Sequence, residues 1–178
     1  MSSDKRARNM VFAGLCLALC LVLTFLTGQI QWIAQRISPM HIPVFLAGFL
    51  CGPWWALGVG LIAPIIRSML FGMPPMMPTA VAMAFELATY GLISGLLAGV
   101  LPKTNGSVYG ALIGAMLVGR IVWGFVMWGL LGLTGGEFTF AAFLAGAFTN
   151  AVPAIVFHIV LIPLIVFALR KAKLLYYQ

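Results

Sequence analysis

Charge is what this sequence has least of. Only 7% of its 178 residues are Asp, Glu, Lys or Arg, while 63% are hydrophobic. A soluble domain with so little charge could not wet its own outside. Lipid is therefore the expected solvent, and the length suits a single membrane domain over 1–178. The net charge of +7 does not point to nucleic acid, because no dense basic stripe is interleaved with aromatics. The cations gather mostly at the two ends of the chain, as topology-setting charges do.

Cysteine is scarce as well. Cys16, Cys20 and Cys51 are odd in number, lie in apolar runs and form no CxxC. Neither a zinc site nor a disulfide framework is indicated, and the three read as small buried hydrophobes. The two histidines, His41 at the external start of a short span and His158 toward the cytoplasmic end of the last, are expected at opposite faces. They make no metal site. Ser68 and Ser94 have no histidine nearby in sequence, so no catalytic residue, cofactor or metal is expected. No GxxxxGK[ST] occurs, so any ATP hydrolysis is expected from a partner.

What the sequence has in abundance is apolar runs. A spanning helix needs about 20 apolar residues. Segments 10–27, 79–101, 108–131 and 140–169 qualify, the last kinked by Pro153 and Pro163. The first follows Lys5, Arg6 and Arg8 with no small-x-small cleavage site after Leu26, and reads as a retained span. Segment 42–70 is broken by Gly52-Pro53. Reading it as two spans gives six and keeps Lys103, Arg170, Lys171 and Lys173 on the side of the N-terminus, with only Arg36 opposite. The expected fold is thus all-α and polytopic, with six transmembrane helices over 10–169. Segments 1–9 and 170–178 are expected in the cytoplasm. The short span 42–51 must be tilted, re-entrant or sheltered by neighbours. The external loops become 29–40, 72–78 and 132–139, the last carrying Glu137.

An ionisable group inside a span is costly unless paired or wetted. Arg67, Glu86, Arg120 and Asn150 come from different spans, and all fall in the outer half or near the midplane. They are expected to converge on a cavity open to the outside. Two arginines for one acid leave a spare cation for an anionic ligand, although an internal ion pair that only fixes packing is the alternative. Met83, Tyr90 and Ile93 share the side of Glu86. The stripes Ala80/Ala84/Ala88 and Gly91/Gly95/Gly99 suit close helix approach.

Four blocks together resemble a known family: "HIPVFLAGFLCGP", "RSMLFGMPPMMPTAVAMAFELATYG", "LIGAMLVGR" and "AFLAGAFTNAVPAIVFHIVLIPL". The chain resembles the substrate-binding S component of an energy-coupling factor (ECF) vitamin transporter, in the pantothenate and pyridoxine-like group. The resemblance covers about His41 to Leu169. It implies capture of a small B vitamin from outside a bacterial plasma membrane. It also implies partnership with a transmembrane coupling protein and two cytoplasmic ATPases. The pocket so implied would be formed by Arg67, Glu86, Arg120 and Asn150, the groups marked by polarity and depth, with His41 and Tyr90, under a stiff lid containing Met73, Pro74 and Pro75. The implied coupling-protein contact is the small-xxx-small pair Gly14 and Ala18. Pantothenate is the first choice of ligand and a pyridoxine-like compound the second, with riboflavin and hydroxymethylpyrimidine open. A solitary secondary transporter of a small organic anion, or a scaffold or enzyme subunit, are the competing classes.

Overall fold

The computed structural model describes residues 3–28 and 37–176, and the elements among them are all helical. Helix α1 is Ser3–Gly28, α2 is His41–Cys51 and α3 is Pro53–Phe71. Helix α4 is Val81–Val100, α5 is Asn105–Leu133, α6 is Phe140–Leu144 and α7 is Val152–Lys171. Five segments are long and apolar enough to cross a membrane, counting Phe140–Lys171 as one. The protein is a polytopic helical membrane bundle. Arg36 and most of the loop 29–40 lie outside the described residues.

The short second element, α2, has 11 residues, and every one is buried. Its length of about 16 Å is roughly half of a bilayer core. It is sheltered by α1, α3, α4 and α7, which satisfies the demand that such a piece not face lipid. Gly48 lets it touch the α4 backbone, where a Cβ would lie 3.0 Å from Gly91 O and Gly95 N. The helix ends at Gly52, whose φ of +86° suits glycine. Pro53 then opens α3 in the first turn, where its missing N–H costs nothing. The chain's last described residue, Tyr176, donates its N–H to Phe49 O at 2.8 Å and lays its ring on Gly52.

Helix α4 is the hub, packed on α2, α3 and α5. Its small residues set the distance: Gly91 faces Ala56, Gly95 faces Pro53, and Gly60 of α3 faces the Leu87–Ala88 backbone. These pairs also fix the antiparallel register, with Gly60 level with Leu87. Helix α3 stops at Gly72, in the left-handed conformation at φ 68°, whose N–H returns to Ser68 O. Helix α1 turns Ala13, Cys16 and Cys20 inward, and the three cysteines are buried and free.

The last apolar run differs from a single kinked span. It divides into α6, a wide turn at Ala145–Thr149, and α7. Asn150 N–H bonds back to Ala145 O at 2.8 Å, and Pro153 falls in the first turn of α7. Of the two, Pro153 therefore starts the helix and Pro163 lies inside it.

Candidate functional site

Glu86 and Tyr90 stand one helical turn apart on α4, and the Tyr90 hydroxyl donates to Glu86 Oε1 at 2.6 Å. Helix α5 brings Arg120, whose Nη1 lies 2.9 Å from the same oxygen. Gly119, beside Arg120, leaves room for the Tyr90 ring, which a Cβ there would strike. Helix α2 begins at this point and contributes His41 and Phe45, one turn apart. Their ring centroids lie 5.5 and 4.8 Å from that of Tyr90. Helix α7 adds His158, stacked on His41 at 5.6 Å and 6.4 Å from Phe45. Four helices thus converge on one polar and aromatic cluster.

The depth follows from the helix rise. Tyr90 is nine residues into α4, about 14 Å from the loop end of the bundle. The half-length of α2 is what lets its N-terminal histidine start at that depth.

The cluster holds one carboxylate and one guanidinium in contact, with side chains 3% and 12% exposed. Desolvating both ions costs free energy, which their contact and the tyrosine hydrogen bond offset. Several polar atoms stay without a hydrogen-bond partner among the described residues: Arg120 Nε, both ring nitrogens of His41, and His158 Nε2. Such groups are uncommon in a folded interior and each calls for a reason.

Arg67 is placed elsewhere. Its Nε donates to Met73 O at 3.0 Å, pinning the proline-rich turn, while its Nη1 is shielded and unpartnered. Counting from Gly60, which is level with Leu87, Arg67 sits about 10 Å nearer the loop end than the Glu86 cluster. In the turn itself Met73 and Pro75 are exposed and Pro74 is half-buried. Asn150 is exposed at the break before α7 and is not brought to the cluster. Gly14 and Ala18 lie on the exposed face of α1, and a Cβ at Gly14 would meet nothing within 4 Å.

The histidines require a correction. They do not lie at opposite faces but stack against each other in the interior. Measured along the helix from Arg170, His158 lies about 18 Å into the bundle, near the midplane. Away from the cluster, an apolar groove of about 470 Å³ runs between α5 and α6, lined by Phe125, Trp128, Phe138 and Phe143 among others. Among the described residues no group of His, Cys, Asp and Glu suits a metal ion.

A family model described as the substrate-specific component of ECF transporters matches residues 8–174. The chain belongs to that family. No individual curated protein and no solved structure matches it. A substrate-specific component binds a small molecule in the membrane on behalf of an ECF module, a coupling protein with ATPases, and is not itself an enzyme. The buried cluster gathers spare polar atoms from three helices in one place, whereas the other buried unpartnered polar groups among the described residues, on Asn9 and Arg67, stand singly.

Proposed function

We propose that this substrate-specific component captures a small water-soluble B vitamin, pantothenate before a pyridoxine-like compound, with the Glu86–Arg120 cluster as the floor of the site. The observation that carries the reading is the convergence of Glu86, Tyr90, Arg120, His41 and His158 at one depth with hydrogen-bonding atoms left over. Arg67 stands about 10 Å above that floor with a shielded, unpartnered Nη1. The arrangement suits an elongated molecule with a carboxylate toward Arg67 and uncharged polar groups toward the floor. Pantothenate has that layout. A pyridoxine-like ring would instead use Glu86 as acceptor.

The spare cation is then Arg67, since Arg120 is already matched by Glu86. The loop end faces outward and both termini face the cytoplasm of a bacterial plasma membrane, as the distribution of Lys and Arg favours. The turn at Gly72–Pro78 acts as the lid. Its prolines are already restricted, so closing it loses little entropy. Gly14 and Ala18 form the coupling-protein contact.

Titration calorimetry with pantothenate tests this reading. Arg120→Ala is expected to weaken binding far more than Arg170→Ala, which alters the opposite end of the bundle beside Asn105. Equal losses, or none in either, would refute the floor assignment.

A further inference from the structure

Within the capture reading above, we infer that His158, stacked on His41, is a ligand-contact residue, and that the group the histidine pair receives is uncharged, an alcohol or an amide.

His158 is 2% exposed and His41 5%. His158 Nε2 and both nitrogens of His41 make no hydrogen bond of good geometry; the Ser38 backbone interacts weakly with both rings and that of Ile37 with His158, which leaves most of their capacity unused. A buried donor or acceptor left unmade is destabilising, whereas an apolar ring of similar shape is not. Phe45 shows that this pocket of aromatics accepts a phenyl ring, stacked on Tyr90 at an interplanar angle of 23°. Two imidazoles standing where phenyl groups would pack without that cost point to hydrogen bonds made with something that comes and goes.

Charge selects what that something is. Glu86 and Arg120 neutralise each other in the same cluster. With Glu86 and Arg120 paired, the cluster has no net charge left to neutralise a carboxylate or an ammonium brought beside the histidines. A neutral imidazole offers one donor and one acceptor. A hydroxyl or an amide also has both, so it satisfies the pair whichever ring nitrogen carries the proton.

The test uses the full-length protein in detergent, with a panel of pantothenate, panthenol, pyridoxine, riboflavin and hydroxymethylpyrimidine. His158→Phe keeps the ring stack and removes the nitrogens. Its ligand-free melting temperature is expected to equal or exceed that of the wild type. Its affinity for the vitamin that the wild type binds is expected to fall about tenfold or more, the scale of one lost hydrogen bond to a buried partner. His158→Gln, which restores a donor and an acceptor, is expected to recover part of the loss. An unchanged affinity in His158→Phe overturns the inference, as does a lowered melting temperature with affinity intact. If the wild type binds pantothenate, an equal loss with panthenol supports an uncharged contact. A loss confined to pantothenate overturns that part. Should His158→Phe fail to fold, ring ¹⁵N NMR of the wild type decides: the ligand must shift the Nε2 resonance of His158, and no shift overturns the assignment. A wild type that binds no member of the panel refutes capture itself, and this inference with it.

Discussion

Arg120 reaches from α5 to place Nη1 2.9 Å from Glu86 Oε1 on α4, the same oxygen that accepts the Tyr90 hydroxyl. One carboxylate oxygen therefore ties two helices and an aromatic ring together. Removing either ion leaves the other buried and unpaired, whereas removing both leaves no buried charge and only the Tyr90 hydroxyl without its acceptor.

Arg120→Met and Glu86→Leu are each expected to destabilise the protein by about 3–5 kcal/mol, and the double variant by much less. Thermal or denaturant unfolding in detergent measures this. Pantothenate binding should be lost in all three variants, because restoring packing does not restore the polar floor.

The glycine contacts of α4 give a sharper structural expectation. Gly91→Ala places a Cβ 2.5 Å from Ala56 O, and Gly60→Ala drives one into the Leu87 backbone. Each is expected to cost about 1–3 kcal/mol by overpacking. Gly129→Ala meets nothing within 4 Å and is expected to be neutral or to stabilise by up to about 1 kcal/mol. Comparing melting temperatures of the three variants checks the helix register.

Much of this was legible beforehand. Apolar run lengths and the breaker Gly52-Pro53 placed the helices, and the depth of Glu86 allowed an ion pair with either Arg67 or Arg120. The small residues Gly91 and Gly95 announced close packing. What was not legible came from tertiary geometry. A run of apolar residues gives no sign that α2 starts in mid-bundle, because burial by neighbours leaves no periodic signature in an all-apolar segment. That start is what carries His41 to His158. Arg67 carries the same charge as Arg120, so composition alone could not tell which of the two pairs with Glu86 and which holds the lid. A continuous helix over 140–169 would carry Asn150 toward the midplane, but the wide turn at Ala145–Thr149 interrupts that helix.

Arg67→Gln separates the lid from the floor. Without its Nε bond to Met73 O, backbone amides in 72–77 are expected to exchange hydrogen faster in the ligand-free protein. Pantothenate should bind more weakly, while panthenol, which lacks the carboxylate, should be little affected. Unchanged exchange in 72–77 would refute the pinning role.

Gly14→Leu probes the exposed face of α1. The position is open to its surroundings, so the isolated protein should keep its stability within about 0.5 kcal/mol. Co-purification with the coupling protein should fall sharply, because a small-xxx-small face loses its close approach. Retained assembly would place the coupling contact elsewhere.

The most direct measurement is equilibrium dialysis of the purified wild-type protein against a mixture of B vitamins, followed by denaturation and mass spectrometry of what is released. One vitamin is expected to be retained at about one molecule per chain, pantothenate first. Retention of none above its concentration in the dialysis buffer would contradict vitamin capture and leave the Glu86–Arg120 pair as a packing contact alone.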